Sequence, residues 1–131
     1  MNGINITGVK GGSGPPLLLL HGHPESHLIW QAVANKLADN FTIIASDLRG
    51  YGHSSAPTGS ETHVEYSKRV MAKDQVLLME HFGYKQFQVC AHDRGARVTH
   101  RMAVDWPDRV QRAMFLDIAP TLAMYELTDL K

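Results

Sequence analysis

Cys90-Ala91-His92-Asp93-Arg94-Gly95-Ala96-Arg97 sets a carboxylate between a strand and a helix, with arginines one and four residues later. An apolar run of strand character, Phe87 to Cys90, leads into it, and a helical pattern over Val98–Val104 leaves it. Small residues flank the acid at Ala91 and Gly95, as a sharp strand-to-helix turn requires, because the next turn packs close behind it. Asp93 then stands where a helix begins, and free N–H groups there favour an ionised carboxylate. Two chemistries fit this position. Asp93 either caps the helix or attacks saturated carbon and forms an ester.

Outward from this turn the chain alternates strands and helices. Asn2 to Lys10 reads as a weak strand, Gly11 to Pro15 as a turn cluster, and Leu17 to Leu20 as a strand buried on both faces. His21-Gly22-His23-Pro24 closes it as a loop, and Ile29–Ala38 has helical spacing. Phe41 to Ala45 is a second buried strand, ending at Asp47 and a polar loop that runs through Thr62. A helix through Val70 and His81 stops at Gly83, Trp106-Pro107 breaks the helix after Asp93, and Ala113 to Leu116 forms a short strand reaching Asp117. This order predicts an α/β fold with a mostly parallel sheet. Ligands in such sheets bind beyond the carboxyl ends of the strands. His21-Gly22, Asp47, Asp93 and Asp117 all fall at such ends, and that coincidence favours the nucleophile over the cap.

Bulk properties narrow the partners. The 131 residues carry 13 basic and 13 acidic side chains, so nothing in the charge points to nucleic acid or an anionic membrane. The longest fully apolar run, Pro15 to Leu20, is far too short to span a bilayer. The single cysteine, Cys90, excludes a disulfide framework, and with no visible secretory signal it predicts a reducing, cytoplasmic setting. His21, His23 and His27 sit in a Gly/Pro loop, not on a helix face, and no cysteine or acidic cluster joins them, so no metal site is expected. Cys90, Trp30 and Met71 read as core residues.

The succession His21-Gly22-His23-Pro24, Asp47-Leu48-Arg49-Gly50-Tyr51-Gly52-His53-Ser54, His92-Asp93-Arg94-Gly95 and Leu116-Asp117-Ile118-Ala119-Pro120-Thr121 resembles the α/β-hydrolase fold. More narrowly it is similar to the haloacetate (fluoroacetate) dehalogenases, neighbours of the epoxide hydrolases. The resemblance implies a three-layer α/β/α core and a reaction without cofactor. It implies Asp93 as nucleophile and Asp117 as the acid that orients a catalytic histidine. For binding a small anionic haloacid it implies Arg94 and Arg97 as a carboxylate clamp, with the backbone N–H groups of His23 and Arg94 as the oxyanion hole. The chemistry is consistent with these roles. Two guanidiniums grip a carboxylate through directional, charge-assisted bonds, and water attack on the ester needs preorganised N–H donors and an oriented base. Simpler roles stand beside them: Arg97 as an i,i+4 ion pair with Asp93, and Asp117 as a strand terminator. His21 and Asp47 read as structural.

The chain departs from the family pattern at Ala91, where the elbow usually has glycine. It also carries no histidine after His100. The strand pleat is expected to turn His92 away from the nucleophile's side, which leaves His23 and His53 as substitutes for the base. By the resemblance, residues 1–131 form the N-terminal part of the core domain, truncated before the lid, with the lid and C-terminal core segment absent. Such a chain is expected to be weakly active or inactive alone, and to cover its open apolar edge by self-association or with a complementing C-terminal half. An epoxide hydrolase and a non-enzymatic oligomeric half-domain are the alternatives.

Overall fold

A computed structural model of the chain describes residues 3–128, so Asn2, placed above in the first strand, lies outside them. Five strands form one sheet in the order β1-β3-β2-β4-β5. They are β1 (Gly8–Gly12), β2 (Pro16–Leu20), β3 (Thr42–Ser46), β4 (Phe87–His92) and β5 (Val110–Leu116). β1 runs antiparallel to β3, and the other pairings are parallel. The helices are α1 (Gln31–Leu37), entered through a 3-10 turn at His27–Trp30, α2 (Lys68–His81), α3 (Asp93–Asp105) and α4 (Thr121–Leu127).

β2 lies at the centre because its leucines are apolar on both faces. The pleat sends Leu18 and Leu20 into a core shared with α2 and α3, through Met71, Met79, Val98 and Met102. It sends Leu17 and Leu19 to the other side, against Trp30, Ile43 and Ala45. Each leucine buried in this way contributes roughly 1.5–3 kcal/mol. The expected three layers follow, and Trp30 and Met71 are core. Cys90 is only half-buried, on the second face, where burial raises its thiol above the ordinary value.

Several elements extend beyond their sequence patterns. α3 starts at Asp93, where the reading of the turn put it, ahead of the apolar pattern that begins at Val98. β5 starts at Val110, ahead of the polar pair Gln111 and Arg112, because it is an exposed strand. β1 occupies part of the glycine cluster because Gly8 lets the strand pass against the Ala45 backbone. α4, which had no sequence signal, is largely exposed.

The loop after β3 is tied down by a buried ion pair. Arg49, 4% exposed, donates from Nε to Asp74 Oδ2 (2.6 Å) and from Nη2 to Asp74 Oδ1 (2.7 Å), and its Nη1 reaches the Glu65 carbonyl at 2.8 Å. A bidentate fork satisfies both oxygens of a carboxylate that water does not reach. Replacing Arg49 takes both of these charge-assisted bonds from the buried Asp74. Arg49→Met is therefore expected to lower unfolding free energy by about 3–5 kcal/mol, read by urea denaturation. A loss below about 1 kcal/mol would show that the pair contributes little.

Candidate active site

Parallel pairing of β2 with β3 and β4, and of β4 with β5, brings four strand ends to one edge: His21, Asp47, Asp93 and Asp117. Two of these residues, Asp47 and His21, fix loops. Asp47, fully buried, accepts from the His27 N–H (2.7 Å), His27 Nδ1 (2.7 Å) and the His53 N–H (3.0 Å). Burial pushes its carboxyl up, but the His27 and His53 amides and the His27 ring outweigh it, and the acid ends below its ordinary value. His21 is also fully buried. The Leu48 N–H donates to its Nε2 at 3.0 Å, so the proton sits on Nδ1 and is donated to the Gly22 carbonyl at 2.8 Å. Burial lowers its pKa more than the Gly22 bond raises it. His21 is thus neutral with both nitrogens engaged, and it shapes the loop that follows it.

That loop presses on Asp93. A Cβ at Gly22 would lie 2.6 Å from Asp93 Cβ, and one at Gly95 would lie 2.5 Å from the His21 carbonyl oxygen. Only glycine permits either approach. The contact lets the His23 N–H donate to Asp93 Oδ1 at 2.9 Å. Asp93 itself has φ +45°, in the left-handed region, a conformation costing a non-glycine residue of order 1–3 kcal/mol. Burial raises its carboxyl, but the His23 and Arg94 amides, followed by the charges of His92 and Arg94, hold it below the ordinary aspartate value.

Arg94 is exposed and Arg97 half-buried on the first turns of α3. Arg97 makes no ion pair with Asp93: its Nη2 donates to Met124 Sδ at 3.1 Å, and its buried Nε has no partner among the described residues. Asp117, at φ +52°, keeps its side chain 87% exposed with Oδ2 3.5 Å from His92 Nε2. His92 Nδ1 meets Glu25 Oε2 at 3.0 Å, and the same oxygen accepts from the Gly22 N–H at 2.9 Å. His23's ring nitrogen Nδ1 meets the Tyr51 hydroxyl at 3.2 Å.

The sequence reading missed Glu25, which carried only a weak signal, an acid three residues after Gly22 in a tight turn. Among the described residues no group of three or more histidine, cysteine or acidic side chains is placed to hold a metal ion, and no helix is long and apolar enough to cross a membrane.

Residues 15–130 match a family model described as the alpha/beta hydrolase fold. A fluoroacetate dehalogenase from Burkholderia sp is 50% identical over 96% of this chain and 41% of its own length. A soluble epoxide hydrolase from Corynebacterium sp. (strain C12) is 44% identical over 93% of this chain and 41% of its own. A solved structure described as an alpha/beta hydrolase, from Nostoc sp PCC 7120, superimposes with a TM-score of 0.91 at 52% identity, covering 99% of this chain and 48% of that one. The chain thus spans less than half the length of these relatives.

The bond to Glu25, opposed by partial burial and helped by Asp117, raises the His92 pKa. A raised histidine stabilises the fold fully below the unfolded value, about 6.5, and loses that contribution as pH climbs through the folded one. The thermal midpoint is expected to fall between pH 6 and pH 8 by more in the native chain than in a His92→Gln variant. Equal falls would show that the Glu25–His92 pair does not titrate in this way.

Proposed function

We propose that this chain, which belongs to the alpha/beta hydrolase family, carries the nucleophile-bearing part of a hydrolase that displaces halide from a short 2-haloacid. One observation carries the reading. A carboxylate held ionised by two backbone amides at a strained strand–helix turn stands beside two arginines that have no carboxylate partner among the described residues. The similarity to the Burkholderia fluoroacetate dehalogenase supports the same substrate class.

In this reading Arg94 and Arg97 hold the acid's own carboxylate, which fixes the carbon bearing the halogen in front of Asp93. An Asp93 oxygen attacks that carbon from the rear, the carbon–halogen bond breaks, and halide leaves with the electron pair. In the second step water adds to the ester carbonyl of Asp93. The negative charge appearing on the carbonyl oxygen is met by the His23 and Arg94 N–H groups. Collapse releases a 2-hydroxy acid and returns the carboxylate.

That step needs a base to take the proton of water. No histidine follows His100, His21 has both nitrogens engaged, and both ring nitrogens of His92 face carboxylates, Nδ1 on Glu25 and Nε2 on Asp117. The isolated chain is therefore assigned the first step and a stall at the ester. The exposed β5, with Met114 58% and Phe115 43% exposed, is assigned to cover by a second copy or a complementing segment.

An epoxide hydrolase is the second reading, favoured by the 44% identity to the Corynebacterium enzyme. It uses the same attack by Asp93 but gives the two arginines no anion to hold.

Intact-mass spectrometry after incubation with chloroacetate tests the assignment. The native chain is expected to gain one carboxymethyl group and release one equivalent of halide, while Asp93→Asn gains none. An adduct on the Asn variant, or none on the native chain, would refute the nucleophile. Halide in excess of protein would refute the stall. Replacing Arg94 and Arg97 by glutamine is expected to abolish the adduct; labelling by a neutral epoxide, with none by chloroacetate, would favour the second reading.

A further inference from the structure

Glu25 lies in the turn after β2, where its N–H donates to the Gly22 carbonyl at 3.2 Å. Its Oε2 accepts from the Gly22 N–H at 2.9 Å and meets His92 Nδ1 at 3.0 Å. Gly22 directly precedes His23, and His92 directly precedes Asp93. One oxygen thus joins the two residues that stand just before the partners of the bond from the His23 N–H to Asp93 Oδ1, itself 2.9 Å long. The two links run side by side between the β2 loop and the end of β4. Gly22 is held between the two acids: a Cβ on it would lie 2.6 Å from Asp93 Cβ and 3.0 Å from Glu25 Oε2.

An amide carried by a surface loop serves a carboxylate only while the loop keeps it in place, because a hydrogen bond weakens steeply with distance and angle. Charge gives Glu25 no such use, since a second carboxylate across Gly22 from Asp93 disfavours the ionised form of the first. We propose that Glu25 is a positioning residue of the site: it locks the β2 loop to the end of β4 and so holds the His23 amide on Asp93. Its consequence for the reaction rests on the reading of Asp93 given above, whereas its hold on the His23 amide does not. The role needs an acceptor oxygen with two lone pairs that spans both donors. Glutamine offers one. Aspartate keeps the charge but is one methylene too short to reach both.

Amide hydrogen exchange in the 131-residue chain, read residue by residue by NMR at neutral pH, tests the proposal. In Glu25→Ala the His23 N–H is expected to exchange about tenfold faster, the scale of one charge-assisted hydrogen bond, while the amides of β2 and β4 exchange as in the native chain. Glu25→Asp is expected to match the alanine variant, and takes its place if that variant does not fold. Glu25→Gln is expected to stay within about twofold of the native chain. Unchanged His23 exchange in Glu25→Ala and Glu25→Asp, a rise shared by the amides of β2 and β4, or a glutamine variant as fast as alanine would overturn the assignment. The rate of carboxymethylation by chloroacetate is expected to fall about tenfold in Glu25→Ala and to be kept in Glu25→Gln. A native rate in Glu25→Ala beside fast His23 exchange would overturn the link to Asp93. No adduct on the native chain would refute the nucleophile instead, and the His23 exchange would still decide the role of Glu25.

Discussion

The approach of the β2 end to the β4–α3 turn is the constraint on which the rest of this molecule depends. Gly22 has no side chain to hold Asp93 away, and Gly95 has none to hold α3 off the carbonyls of Leu20 and His21. Because both gaps close, the His23 amide reaches the Asp93 carboxylate at 2.9 Å. The loop that delivers this amide is held in turn by His21, and the segment beyond it by the His27–Asp47 pair. A side chain at either glycine would move the amide or the acid by more than a hydrogen bond tolerates. The strain at Asp93 is thus sustained by packing on two sides, as a strained functional residue requires.

Electrostatics at this edge follow from the same packing. Burial alone would raise the Asp93 pKa, and the amides reverse the balance. Behind it a second system, Glu25–His92–Asp117, links the β2 loop, the end of β4 and the end of β5. His92 places positive charge next to Asp93 without contacting its carboxylate. Arg94 and Arg97, on the first turns of α3, have no acidic partners among the described residues, whereas Arg49, Arg69, Arg101 and Arg109 do. A protein surface that leaves charges of one sign unmatched around a carboxylate is suited to an anionic ligand.

Much of this was legible in the chain itself where local pattern and tertiary role coincide. Leu17 to Leu20 reads as a strand buried on both faces and is one, because four consecutive leucines allow no exposed face. The turn at Asp93 was legible from its small neighbours. The start of α3 at Asp93 was legible with it, although Asp93 to Arg97 show no apolar period. β1 was legible only as far as Lys10, since Gly11 and Gly12 read as a turn until β3 pairs with them. Within the site, Asp93, Asp117, Arg94, Arg97 and His23 could be picked out because strand ends and the family resemblance marked them. The partnership of His92 with Glu25 spans 67 residues and leaves no trace in local sequence. His92 was expected to face away from the site, yet its ring contacts Asp117.

The central claim is that these residues alone build an ionised, preorganised carboxylate at Asp93. The most direct measurement is a pH titration of the Asp93 side-chain carboxyl by carbon-13 NMR. The account predicts a midpoint below the ordinary aspartate value of about 3.9. A midpoint at or above that value would mean that burial wins over the amides, and would contradict the account.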